Sequence, residues 1–320
     1  NTGRSVFIGE GAGANDDLSN NYNVFVGYQA GYSNTTGNYN TANGVSALYY
    51  NTTGNYNTAN GYRALYYNIT GSYNTANGYA SLIYNKGNRN TAIGVEALFS
   101  NVAGSNATAI GSRAMLYANN SATDFTNYNV AVGYEALRGS NIPANNTGNG
   151  NTAIGYQTLM NNTIGYANVA SGFQALYSNI NGRWNVATGL QALYSNLTGV
   201  FNVAYGLQAL YSNTSGSYNI AVGGLALENN TTGNYNTANG NSALNSNETG
   251  NYNTANGGAA LFSNITGSYN TALGYNAYLG GNHYSNSTAL GYDASISDDN
   301  QVRVGNTSVN SIGGEVGWTT

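Results

Sequence analysis

The sequence predicts an all-β solenoid of about 17 residues per coil, and three observations carry that prediction. First, a motif N-[T/V]-A-x-G recurs from end to end. Its closing glycines fall at Gly27, Gly44, Gly61 and onward to Gly291, with weaker copies at Gly9 and Gly305, and most steps are 17 residues. A fixed period of this size marks an array in which each unit is stable only against its neighbours. Second, particular residue types keep particular columns, which a disordered Asn- and Gly-rich tract would not do. Third, two Gly, two Asn and a β-branched residue per period leave no helical face of useful length.

With the anchor Gly as the fifth position, the repeat reads N-[T/V]-A-x-G-x-x-A-L-[Y/F]-x-N-x-x-G-x-Y. Two short strands are expected, one at N-T-A-x-G and one near A-L-Y, each ending in a Gly or Asn corner. Gly allows φ > 0 there without a Cβ clash. Ala at the third and eighth positions (Ala59 and Ala64, Ala187 and Ala192) and Leu at the ninth (Leu65, Leu193, Leu244, Leu261) read as the interior. Stacked coils repeat about every 4.8 Å, so the Asn of the first position (Asn57, Asn74, Asn202) and of the twelfth (Asn51, Asn68, Asn196) are expected to form amide ladders. Aromatics at the tenth and seventeenth positions (Tyr49, Tyr66; Tyr39, Trp184, Phe201) are expected to stack.

The fourth position faces opposite to the third, because alternate strand residues do. Its aliphatics, Val26, Ile93, Ile110, Val132, Ile154, Val222, Leu273 and Leu290, are therefore the expected interface residues. Ordering 17 residues costs roughly 20–30 kcal/mol, and one Leu with two Ala offsets little of it. The sequence thus predicts a homo-oligomer of parallel subunits, most simply a trimer.

Composition narrows the functions. Charged residues are 6% of the chain and the net charge is −4, which argues against capture of nucleic acid or of anionic lipid. Cysteine is absent, and no run approaches the roughly 18 apolar residues of a membrane span. The chain opens in repeat-like sequence, so any targeting segment is expected to lie outside it or to have been removed. His283 is the only histidine, and no carboxylates recur at an acid/base spacing. No catalysis and no cofactor are expected. Asp16 with Asp17 and Asp298 with Asp299 could offer oxygens to calcium, but without regular Asp spacing no metal is assigned. N-x-S/T triplets, as at Asn34, Asn51, Asn68, Asn196, Asn213 and Asn264, are generated by the repeat itself.

Irregularities divide the chain into an atypical N-terminal cap at 1–36, regular repeats at 37–291 and a C-terminal cap at 292–320. Near the start Phe7 and Phe25 replace the third-position Ala. Two successive steps lengthen to 22 residues, inserting 119–126 and 140–149 at one corner of adjacent coils. Such insertions map to loops on one face, and Asn119, Asp124, Phe125, Asn141, Pro143 and Asn145 are the expected ligand-binding residues.

The coils NTAIG at Asn90 and Asn151, NVAVG at Asn129 and NIAVG at Asn219 resemble the left-handed parallel β-roll heads of trimeric autotransporter adhesins. The longer form G-Y-Q-A-L-Y-S-N resembles repeats of bacterial surface and phage tail-fibre-like proteins with a C-terminal endosialidase-type intramolecular chaperone. The resemblance covers about residues 1–305. It implies left-handed winding, chaperone-assisted trimerisation, and a self-cleavage junction near Val302–Thr320, the chaperone itself being absent from this sequence. The expected function is a non-enzymatic extracellular fibre segment, the shaft or head of an adhesin, tail fibre or surface filament, about 80–90 Å long. It would attach to a host or surface glycan or receptor, as a trimer or an end-to-end filament. Two alternatives are a carbohydrate-binding module using the Tyr columns and corner loops, and an ice-binding solenoid using the Thr column of Thr41, Thr58 and Thr75.

Overall fold

The computed structural model describes residues 4–278 and 280–311. The chain divides into two compact units, Asn1–Arg183 and Trp184–Thr320. In the first, the strands are β1 (Val6–Ile8), β2 (Val24–Val26), β3 (Thr41–Asn43), β4 (Thr58–Asn60), β5 (Thr75–Asn77), β6 (Thr91–Ile93), β7 (Gly104–Ser105), β8 (Thr108–Ile110), β9 (Phe125–Thr126), β10 (Val130–Val132), β11 (Thr152–Ile154) and β12 (Val169–Ser171). In the second they are β13 (Val186–Thr188), β14 (Val203–Tyr205), β15 (Ile220–Val222), β16 (Thr237–Asn239), β17 (Thr254–Asn256), β18 (Thr271–Leu273), β19 (Thr288–Leu290) and β20 (Val302–Val304).

Each unit is a parallel β-solenoid in which one winding consumes one repeat. Thr58 pairs with Thr75, Ala59 with Ala76 and Asn60 with Asn77 in the first unit. Thr237, Ala238 and Asn239 pair with Thr254, Ala255 and Asn256 in the second. The long steps do not disturb this register: Ala109 faces Ala131, which faces Ala153. All extra residues are therefore extruded from the coil. The end of the expected cleavage junction, residues 312–320, lies outside the described residues.

The second strand expected near A-L-Y does not form. That segment is a run of turns, because its seventh and ninth residues adopt the left-handed region, with φ of 54° at Arg63 and 51° at Leu65, which a strand excludes. The wall is still knitted to its neighbours. Arg63 N donates to Val45 O of the preceding coil at 3.1 Å, and Leu65 N to Ser81 O of the following one at 3.0 Å. The seventeenth residue behaves likewise, Tyr56 having φ of 56° and donating to Asn38 O at 3.0 Å.

The interior is as the columns imply. Third- and eighth-position Ala and ninth-position Leu are fully buried, as at Ala59, Ala64 and Leu65 or Ala187, Ala192 and Leu193. At the N-terminal end the volumes are exchanged. Phe25 occupies the third position, and the ninth is Gly31, whose Cβ would fall 2.5 Å from the Phe25 ring. Phe7 and Gly13 repeat the exchange, and the two rings stack at 5.3 Å. Phe entering from the strand fills the space that Leu fills from the turn elsewhere, which keeps the density of a close-packed core.

Both Asn ladders are present and buried. Asn57 N and Nδ2 reach Asn40 Oδ1 at 2.9 and 3.1 Å, and Nδ2 also donates to Gly71 O at 2.8 Å. From the other wall Asn68 Nδ2 donates to Asn51 Oδ1 and to the same Gly71 O, both at 2.9 Å. In the second unit Asn219 and Asn230 converge on Gly233 O in the same way. The fifteenth-position Gly is required by this crowding rather than by φ: a Cβ on Gly71 would stand 2.3 Å from Asn68 Oδ1. Asp16 begins the twelfth-position ladder, its carboxylate accepting from Asn21, Asn23 and Asn34. Two buried amide oxygens, of Asn101 and Asn264, lack a partner, because the next coils carry Ala118 and Gly281 in that column.

Near the C-terminal end Tyr278 takes the ninth position in place of Leu, and its hydroxyl donates to Tyr284 O at 2.8 Å. Burial raises its pKa above the ordinary tyrosine value of 10.0. With a raised folded pKa, its contribution is complete below pH 10 and is lost progressively above it, as the unfolded phenol ionises first. Denaturant unfolding is expected to show stability falling as pH rises above about 10, and Tyr278→Phe is expected to lessen that fall, the remainder including Tyr292, whose pKa is raised by its bond to Asp293. An unchanged pH profile in the variant would contradict the assignment.

Candidate functional site

Alternation along each strand turns the fourth-position residues out of the interior. Ile93, Ile110, Ile154, Val222 and Leu273 are exposed, and Val26, Val132 and Leu290 are half-buried. Beyond the anchor glycine the sixth position forms a second outward file that the sequence reading did not assign. From the coil of Gly27 to that of Gly172 it comprises Tyr28, Val45, Tyr62, Tyr79, Val95, Tyr134, Tyr156 and Phe173, each at least 40% exposed, with Ser112 the one polar interruption, while the first coil carries Glu10 there. Its rings stack where they adjoin, Tyr134 on Tyr156 at 5.4 Å and Tyr156 on Phe173 at 5.1 Å. No residue at the second, fourth or sixth position of coils 24–173 carries a charge. The signal was available in the sequence, but these tyrosines read as part of a general aromatic excess.

In the second unit the same two positions are mixed. Leu190, Tyr205, Leu207, Val222, Leu273 and Tyr275 are exposed, and Asn239 and Asn256 separate them, the amides in contact at 3.4 Å.

The two insertions stand on adjacent coils of the first unit. In the first, Phe125 and Thr126 pair with Gly104 and Ser105, and the Phe125 ring covers Gly104, where a Cβ would meet Cζ at 2.6 Å. Phe125 is thus a packing residue of that corner. Asn119 accepts from Ser121 N at 2.9 Å, closing a turn. Pro143–Asn145 forms a 3-10 turn. Asp124, Asn141 and Asn145 are exposed; Asn119, Phe125 and Pro143 are half-buried. Asn146, which the sequence did not single out, holds the second loop: its Nδ2 donates to Ser140 O and to Tyr117 O of the coil bearing the first insertion.

The seventeenth-position aromatics form exposed stacks, with Tyr39 on Tyr56 at 4.9 Å and Tyr218 on Tyr235 at 4.7 Å. Neighbours in such a file cover each other's faces and leave ring edges and hydroxyls outward. The N-x-S/T asparagines at Asn34, Asn51, Asn68, Asn196, Asn213 and Asn264 are all fully buried in the twelfth-position ladder. The lone His283 is exposed, its Nδ1 2.7 Å from Asn282 Oδ1.

One group of charges stands out in a chain that has few. Glu96, Arg113 and Glu135 occupy the seventh position of three successive coils, with Arg138 at the tenth. Arg113 Nε donates to Glu96 Oε2 at 3.0 Å, and this bond, with the charge of Glu96, raises the guanidinium pKa. Glu135 is buried to 7% exposure and accepts from Gln157 Nε2 at 2.9 Å and from Arg138 Nη1 at 3.5 Å.

A search against protein-family models gives no match, and neither does a search of curated proteins.

Proposed function

We propose that this chain is a structural, non-enzymatic segment of an extracellular attachment fibre that assembles as a parallel homotrimer. The observation that carries the reading is the uncharged outward face of coils 24–173 in the first unit, where the fourth- and sixth-position files run side by side. Soluble monomers rarely expose contiguous apolar patches beyond a few hundred Å², and the buried centres of interfaces are depleted in charge. A partner with the same repeat supplies the same spacing of rows, so apolar blocks meet apolar blocks and the Asn43, Asn60 and Asn77 block meets amides. Left-handed winding and the place of the chain as shaft or head of an adhesin, tail fibre or surface filament follow the sequence resemblance and belong to the same proposal.

The mass in solution tests it. Sedimentation equilibrium is expected to give three times the chain mass of 33.3 kDa, and the pair Ile110→Glu with Ile154→Glu is expected to give the monomer, since charge on an apolar interface costs several kcal/mol. A wild-type monomer at micromolar concentration would overturn the trimer.

A further inference from the structure

We propose that the groove over the coils of Glu96, Arg113 and Glu135 binds a neutral, hydroxyl-rich saccharide. The groove is lined by Glu96, Phe99, Arg113, Tyr117, Glu135 and Arg138 and holds about 290 Å³, at the small end of ligand pockets, which start at roughly 300 Å³. Three features point to this class of ligand.

The first is charge balance. Two carboxylates face two guanidiniums, so the groove offers an ion of either sign no net attraction, while it offers directed donors and acceptors. The second is unused hydrogen-bonding capacity. Arg113 engages Glu96 through Nε, and among the described residues its two terminal nitrogens and Glu96 Oε1 make no hydrogen bond. Arg138 Nε is buried without a partner, and the partly exposed guanidinium reaches a protein acceptor only through Nη1, at 3.5 Å from Glu135 Oε1, so the group as a whole is under-bonded. A sugar hydroxyl accepts from a guanidinium and donates to a carboxylate with the same atom, which an anion or an apolar ligand cannot do.

The third feature is the aromatic ring. Elsewhere on this wall the eleventh-position tyrosines Tyr50, Tyr67 and Tyr84 stack on one another, so their faces are occupied. Tyr117 stands in the same column between Ser100 and Gly139, and no ring covers it. Tyr117 is half-buried and lines the groove, where its ring can meet the apolar C–H side of a pyranose, the amphipathic use to which tyrosine is suited. The second insertion fixes this place, because Asn146 Nδ2 holds Tyr117 O. The seventh, tenth and eleventh positions lie outside the fourth- and sixth-position files, so the site stands independently of the trimer.

The experiment is an array of neutral hexose and N-acetylhexosamine oligosaccharides, with uronate-bearing ones beside them, probed with the full chain at low and high salt. Retention on at least one neutral glycan, insensitive to salt, is expected. Affinity for it should fall at least about tenfold in Glu96→Gln, Arg113→Gln and Tyr117→Leu, a loss typical of a charged hydrogen-bonding group. Tyr235→Leu, in the stacked seventeenth-position file of the other unit, should bind as wild type. Unchanged melting temperature and sedimentation in each variant separate loss of the site from loss of the fold. No retention, retention on uronates alone, or equal binding by the three groove variants would each overturn the proposal, as would loss of binding in Tyr235→Leu.

Discussion

Gly223→Ala is expected to destabilise the second unit by about 4 kcal/mol, whereas Gly224→Ala, one residue on, should change stability by less than about 0.5 kcal/mol. The two glycines differ in geometry alone. Gly223 has φ of 131°, and a Cβ there would lie 2.5 Å from Gly240 O in the next coil. That contact is backbone against backbone, so relief requires the coils to part and the ladder bonds of Ile220–Val222 to stretch. At Gly224 φ is not positive, and the added methyl would meet only the Asn241 amide nitrogen at 3.1 Å, a side chain that can swing away. Thermal melts followed by circular dichroism check the pair. Equal melting temperatures would show that anchor glycines are tolerated rather than required.

Phe25→Ala should cost about 3–5 kcal/mol, the usual price of an emptied aromatic site. Gly31→Leu alone should also destabilise, because its Cβ would enter the Phe25 ring. Together they are expected to recover most of the loss, since they convert the coil to the Ala and Leu arrangement of the repeats that follow. The backbone permits it: Gly31 has φ of 59°, and the ninth-position Leu48 and Leu65 have 54° and 51°. Hydrogen exchange of residues 5–34 in the two single variants and the double reads out the coupling. A double variant as unstable as the sum of the singles would remove the volume-exchange account.

What the sequence made legible was whatever repeats as a side-chain type. Ala59, Leu65, Asn57 and Asn68 each sit in columns whose chemistry has one sensible place, so interior and amide ladders follow from the sequence alone. Backbone conformation was not legible in the same way. Leu65 and Tyr56 give no sign in their side chains that they occupy a region usually left to Gly and Asn, and the A-L-Y wall was therefore read as a strand. The glycine of the fifteenth position was assigned a conformational role, when its real constraint is the Asn68 amide in the space a Cβ would fill. The Phe25 and Gly31 exchange is half visible: the large residue stands out in the third-position column, but its small counterpart lies six positions away and meets it only across the interior. At the candidate sites, the fourth-position file follows from alternation, the sixth-position file is hidden in a general aromatic excess, and the Tyr117 groove depends on which neighbours are missing from a column.

For the proposed trimer, the outward files also bear on how copies of the chain would align. Where every row matches the next, two copies could slide past each other by a whole winding and lose scarcely any contact, and a fibre built only of such rows would have no defined alignment. The stretch from Gly78 to Gly155 would break this degeneracy, for it holds one shortened step, the fourth-position file changes there from Asn60 and Asn77 to Ile93 and Ile110, and the sixth-position file passes through Val95 and Ser112 before returning to Tyr134. In the proposed trimer, a partner displaced by one winding would set amides against apolar rows, so these irregular windings would serve as the notch by which identical strands of a cable are laid level.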